Sequence, residues 1–178
     1  MPNLPIIGLA GPARSGKDTV ASFIIAAVGG YRYAFADPIR QMLVPLGIDM
    51  NDPYWQERKE KIIPALNASP RKLMQTLGTE WGRQLIDPNI WLTLASQRLL
   101  TRGAGMVIPD VRFENEAEWI RNKGGRIIHV VRANPTQIET HVSENGVAKD
   151  PLDAILFNSG TLEELQIATR ELLHVYQT

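Results

Sequence analysis

Residues 4–28 read LPIIGLAGPARSGKDTVASFIIAAV, and this stretch decides the fold. Leu4 to Ala10 is a short apolar run, the pattern of a buried strand. A glycine-rich turn follows, and Thr19 to Val28 then reads as a buried helix stopped by Gly29 and Gly30. A strand that passes through such a turn into a helix N-terminus makes a cradle for phosphate. Gly11 and Gly16 let backbone N–H groups turn inward, and the helix dipole adds attraction for an anion. Lys17 supplies a mobile cation to the β and γ phosphates. The plainer alternative is a glycine turn with no ligand. The strand before it, the helix after it and the nearby Thr19 hydroxyl argue against that.

Outward from this point, strands and helices continue to alternate. Tyr31 to Ala36 reads as a second strand, and Asp37-Pro38 places a helix cap before a proline at the first helical position. Residues 38–104 read as mostly helical. Ser69-Pro70 opens a helix to about Gln84, with Leu73, Leu77 and Trp81 on one face. Asp87-Pro88 opens another through Trp91, Leu92, Ala95 and Leu99. Met106 to Asp110 is a third strand, with Pro109 as its last paired residue because a central strand needs its N–H groups. Glu114 to Lys123 is a helix, Arg126 to Val131 a fourth strand and Asp153 to Phe157 a fifth. Thr161 to Tyr176 closes the chain as an amphipathic helix through Leu162, Leu165, Ala168, Leu172 and Val175. Residues 133–152 are polar and read as an irregular flap. The pattern implies an α/β fold with a parallel sheet covered on both faces, and ligands beyond the carboxyl ends of its strands.

Composition narrows the function classes. A chain of 178 residues is one ordinary domain. Lys plus Arg is 19 and Asp plus Glu is 19, so a surface built for long nucleic acids or for membranes is disfavoured. There is no cysteine, which excludes disulfides, thiolate metal sites and a cysteine nucleophile. His129, His141 and His174 give no metal-ligand spacing. No apolar run reaches a membrane span, and the start lacks the charge and length of a secretory signal. The expectation is a cytoplasmic protein.

The residues after the other strands extend the phosphate reading. The P-loop pattern expects Ser or Thr directly after its lysine, to hold magnesium. Here Asp18 stands in that place, and Thr19 brings the hydroxyl one position later. Asp18 either holds a metal-bound water or caps the helix. Asp110, an acid at a strand end, suits the water shell of a metal; the plainer reading is a salt bridge to Arg112 or a cap on the next helix. Arg40, Arg71, Arg83, Arg112 and Arg132 fall near expected phosphate positions, where guanidinium groups bind in a bidentate manner. Any one of them alone reads more readily as a solvated charge, and the case rests on several converging at one end of the sheet. Arg14 reads as a contact to nucleotide or solvent. Trp81 and Trp91 read as core more than as stacking platforms, and His141 as a phosphate contact or a solvated side chain.

With these residues in place, the chain resembles the deoxynucleoside monophosphate kinases common in bacteriophages, within the P-loop kinase group. The blocks are GPARSGKDT at 11–19, FADPIR at 35–40, SPRKLMQTLGTEWGR at 69–83, DPNIW at 87–91, VIPDVRFENEAEWI at 108–120, HVSENG at 141–146 and DAILFNSGTLEEL at 153–165. The second long block and DVRFENE are the particular ones. The resemblance implies a three-layer P-loop kinase fold whose five-stranded parallel sheet has the order 2-3-1-4-5. It implies a single kinase domain over 1–178, with 38–104 as a helical region that binds the monophosphate and 133–152 as a short lid.

The implied activity is transfer of the γ-phosphoryl group of ATP to a deoxynucleoside monophosphate, with Mg²⁺. By motif match, the donor site is Gly11, Arg14, Ser15, Gly16, Lys17, Asp18 and Thr19, with Asn158, Gly160 and Thr161 against the adenine. The acceptor site is Asp37, Arg40, Arg71, Gln75, Thr79 and Arg83. Asp18, Thr19 and Asp110 would hold magnesium through water. Lys17, Asp110, Arg112 and Arg132 would carry the transfer. Adenylate-type lids carry arginine pairs, yet residues 133–152 contain none, leaving Arg132, Arg112 and Lys149 as alternatives for the charge that faces the transition state. Rival readings are a dephospho-coenzyme A kinase, which would need a base such as Asp37, and a nucleotide-binding switch. The Trp-bearing helices read as either a homodimer interface or a core.

Overall fold

The computed structural model describes residues 6–103, 105–132 and 146–175. The apolar runs form a five-stranded parallel sheet: β1 (Ile7–Ala10), β2 (Tyr31–Arg32), β3 (Met106–Val111), β4 (Arg126–Val131) and β5 (Ala154–Phe157). Its order, β2-β3-β1-β4-β5, is the one the resemblance implies. On one face Leu9, Val107, Val130 and Leu156 pack against Val20 and Ile24 of α1 (Lys17–Val28) and Leu165 and Leu173 of α7 (Leu162–Val175). On the other, Ile120 of α6 (Glu114–Asn122) fills the hollow above Gly8, beside Ile127. Helix, sheet and helix make three layers, and each fully buried aliphatic side chain among them contributes roughly 1.5–3 kcal/mol.

Three elements differ from their sequence reading. Strand β2 is two residues long; after Arg32 the Tyr33 N–H still donates to the Val107 carbonyl, and the chain then enters α2 (Asp37–Leu43). Strand β3 does not end at Pro109. The register against β1 slips between Gly8 and Ala10, and pairing resumes at Val111, so an irregularity in the ladder absorbs the missing N–H. Helix α7 buries Leu165, Thr169 and Leu173, while Leu162 and Val175 are exposed. Thr169 is tolerated in that stripe because its hydroxyl donates to the Leu165 carbonyl at 2.7 Å.

The chain divides into two compact units, Met1–Ala34 with Gln97–Thr178, and Phe35–Ser96. The sheet, α1, α6 and α7 belong to the first. The second contains α2, a 3₁₀ turn at Val44–Leu46, α3 (Pro53–Glu57), α4 (Pro70–Gln75), a π-helix at Thr76–Ile86 and the first part of α5 (Ile90–Arg102). Its core is Leu43, Ile48 and Met50 against Leu73 and Leu77. The expected α-helix from Ser69 to Gln84 is thus α-helical only to Gln75. Beyond it the wider i→i+5 winding rotates residues off the α-helical face. Trp81 is accordingly 36% exposed, while Trp91 is buried at 2%. Gly82 lets the Trp91 ring lie against the helix backbone, since a Cβ there would sit 2.5 Å from Trp91 Cζ2.

Candidate active site

Strand β1 delivers the chain into the phosphate loop, and Gly16 opens α1 as its N-cap at φ 102°. That left-handed conformation suits glycine. The Lys17 Nζ folds back over the loop and donates to the Gly11 carbonyl at 2.8 Å and the Pro12 carbonyl at 2.6 Å. The cation is thereby held at the mouth of the cradle.

Within the first unit, the loop borders a pocket of about 440 Å³, a size suited to a nucleotide-sized ligand. Gly16, Lys17, Asp18 and Thr19 line one side, and Asn158 and Gly160 another. The guanidinium-bearing Arg14 and Arg132 also line it, and Arg132 Nη1 donates to the Arg14 carbonyl at 3.4 Å. Leu162 and Leu165 supply apolar surface that the sequence reading had assigned to the core stripe of the last helix. Their signal was available: they follow the Asn158–Thr161 turn at helical spacing.

Other candidates are engaged differently. Asp18 lies in the first turn of α1, and its Oδ1 pairs with Arg32 Nη2 at 3.2 Å, a partner that no local pattern announces. Thr161 caps α7, its hydroxyl accepting from Glu164 N–H at 3.2 Å while Glu164 Oε2 accepts from Thr161 N–H at 2.6 Å. The Thr161 N–H holds the Glu164 carboxyl below its ordinary range. Asp110 and Arg112 flank Val111, which pairs with Ala10, so both sit at the strand end from which the loop departs. Neither lines the pocket. The Arg112 N–H donates to Glu116 Oε2 at 2.8 Å, at the start of α6.

In the second unit, Arg40 Nη1 donates to Asp37 Oδ1 at 2.6 Å. Arg71 pairs with Glu60 at 3.3 Å. Gln75 ends α4, and Thr79 and Arg83 follow at four-residue intervals on the π-helix, all half-buried. Arg83 Nη1 donates to the Gly78 carbonyl at 2.9 Å. His141 and residues 133–145 of the expected lid lie outside the described residues.

One charged cluster escaped the sequence reading. Asp153, whose side chain is 3% exposed, accepts from Arg121 Nη2 at 2.7 Å, from Asp150 N–H at 3.0 Å, and lies 2.9 Å from His129 Nε2. Burial pushes its carboxyl up, but Arg121, the Asp150 N–H and His129 outweigh that and hold it below the usual carboxylate range. The bond to Asp153 in turn raises Arg121 above its ordinary value. Arg121 Nη1 also reaches Glu114 at 2.9 Å, and Glu114 Oε2 accepts from Ala148 N–H at 3.0 Å. The cluster ties α6, β4 and the start of β5 together.

Residues 5–62 and 48–168 match the family model described as deoxynucleotide monophosphate kinase. The chain is 32% identical over 175 residues to a protein of Acanthamoeba polyphaga mimivirus provisionally named as such a kinase, covering 89% of this chain and 91% of that one. It is 29% identical over 211 residues to the deoxynucleoside-5'-monophosphate kinase of Escherichia phage T5, covering 80% and 84%. Against the deoxynucleotide monophosphate kinase of Enterobacteria phage T4 it is 26% identical over 240 residues, covering 97% and 100%. Among solved structures, a gluconokinase from Sinorhizobium meliloti superposes with a TM-score of 0.52 at 12% identity, covering 99% and 98%. A Thermus thermophilus protein does so with a TM-score of 0.53 at 17%, covering 97% and 98%. At these identities the structural likeness speaks for the fold alone.

Proposed function

The chain belongs to the deoxynucleotide monophosphate kinase family, and from that premise we propose that it moves the γ-phosphoryl group of ATP to a deoxynucleoside monophosphate, giving the diphosphate. The observation that carries the donor half is the pocket bounded by Lys17, Thr19, Arg132 and Asn158. Backbone N–H groups of the loop and the α1 N-terminus hold the donor phosphates, and Lys17 exchanges its two carbonyl partners for phosphate oxygens. Leu162 and Leu165 offer the base an apolar wall. On the acceptor side, Arg40, Arg71 and Arg83 are the cations for the monophosphate, and Gln75 offers an amide that both donates and accepts, which suits more than one base.

Such a transfer asks for alignment and charge neutralisation more than covalent chemistry. The acceptor phosphate is already a nucleophile near pH 7, so no general base is needed. The donor set fits magnesium: a hydroxyl at Thr19 and a carboxylate at Asp18 border the pocket, and Asp110 stands at the neighbouring strand end. Mg²⁺ favours substrate phosphates, waters and one or two carboxylates over an all-protein cage. When bound it would neutralise charge on the β- and γ-oxygens.

The test is a panel. The protein is incubated with Mg-ATP and, in turn, dTMP, dGMP, dCMP, dAMP, a ribonucleoside monophosphate and dephospho-coenzyme A, and ADP is measured. ADP formed only with deoxynucleotides supports the proposal. ADP formed without any acceptor points to a switch ATPase, and ADP formed only with dephospho-coenzyme A to the rival kinase.

A further inference from the structure

Asn158 lines the donor pocket, and its amide is bonded to the phosphate loop. Its Nδ2 donates to the carbonyl of Ser15 at 2.8 Å, across 143 positions of sequence. Its backbone N–H donates to the Val131 carbonyl at 2.7 Å, which continues the β4–β5 ladder by one residue. The Ser15 side chain is buried at 1% and its hydroxyl has no partner among the described residues, so Ser15 is held through its backbone: its N–H donates to the Pro12 carbonyl at 3.3 Å and its carbonyl accepts from Asn158.

We infer that Asn158 is a positioning residue that aims the phosphate loop, acting through the Ser15–Gly16 peptide. This deepens the kinase reading and rests on it. A trans peptide is planar, so its C=O and the following N–H point in opposite directions. Holding the Ser15 carbonyl on Asn158 therefore turns the Gly16 N–H away from that amide. Among the described residues the Gly16 N–H has no acceptor of its own, which leaves it open to an incoming phosphate oxygen. The fit is close: a Cβ at position 16 would collide with Asn158 Nδ2. Gly16 is thus required both by its φ of 102° and by the side chain beside it.

The support for Asn158 is rigid. Strand β5 is anchored just before its start by Asp153, buried against Arg121 and His129, and Asn158 directly follows its last residue, Phe157. A preorganised donor needs a partner whose own position is locked, and β5 provides one. Gly160, Leu162 and Leu165 follow within seven residues and border the same pocket, so one short segment carries both the apolar wall and the brace on the loop.

The test separates phosphate from base. Asn158→Asp keeps the shape but sets a carboxylate oxygen against the Ser15 carbonyl; Asn158→Ala removes the bond without repulsion and serves if the first variant does not fold. Affinity is measured for sodium tripolyphosphate and, separately, for adenosine, with kcat and the KM for the monophosphate taken from the ADP assay. The expected result is about a tenfold loss of tripolyphosphate affinity, about a 10²-fold loss in kcat, and adenosine affinity and monophosphate KM unchanged. Equal losses for adenosine and tripolyphosphate would make Asn158 a base contact and overturn the inference, as would wild-type tripolyphosphate binding in both variants. If the wild-type protein turns over no acceptor, the kinase reading fails, and the tripolyphosphate comparison still decides the role of Asn158.

Discussion

The indole N–H of Trp91 donates to the carbonyl of Gly78 at 2.9 Å, and the same carbonyl accepts from Arg83 Nη1 at 2.9 Å. One backbone oxygen in the π-helix therefore holds both a buried ring and a candidate acceptor-binding cation. Trp91→Phe removes the first donor and part of the ring volume, while Arg83 still satisfies the oxygen. The expected cost is about 2 kcal/mol. Trp81→Phe, at a half-exposed site, should change stability by less than about 0.5 kcal/mol. Chemical denaturation of both variants checks the pair, and equal costs would contradict the burial argument.

Lys17 is the cation poised at the cradle. Lys17→Ala should lower kcat by roughly 10²–10³, as deletion of a preorganised charge-stabilising donor does. Steady-state ADP release measures it. Near-normal turnover would remove the loop from the catalytic account.

Arg132 borders the donor pocket, whereas Arg112 does not. Arg132→Gln is expected to lower kcat by about 10²-fold, and Arg112→Gln by less. The reverse order, measured at saturating ATP, would move the transition-state charge to Arg112.

Asp153 has a pH signature. Its carboxyl is held below the ordinary value, about 3.9, so its contribution to stability is complete above that pH and is lost as pH falls through the lower folded value. Asp153→Asn removes the buried partner of Arg121 while Glu114 remains, and should cost about 2 kcal/mol at pH 7. The gap between variant and wild type should narrow below about pH 4. Urea midpoints at neutral and acid pH test this; a gap that stays constant into strong acid argues against it.

What could be read from the sequence was local and periodic. The strand, loop and helix around Lys17 follow from glycine placement and apolar runs, and the sheet order follows from the resemblance. The misreadings share a cause in tertiary context. Trp81 and Trp91 look alike in sequence, but Trp81 lies on the π winding and is exposed, whereas Trp91 lies on α5 and is buried. Pro109 argues for a strand end, but the ladder slips past it. Asp153, His129 and Arg121 stand far apart in the chain, and nothing in their spacing announces that they meet. Asn158 lay within a recognised block, yet its amide points to Ser15, a contact no local pattern encodes.

The sheet's outer strands bear on how copies of the chain behave together. With 19 acidic and 19 basic side chains, no net charge keeps copies apart near neutral pH. Protection against edge-to-edge pairing must then come from shape. Two residues of β2 are too short a template for another strand to extend. The β5 edge is longer and carries exposed Ile155 and Phe157, so self-association in concentrated solution would begin on that side of the molecule.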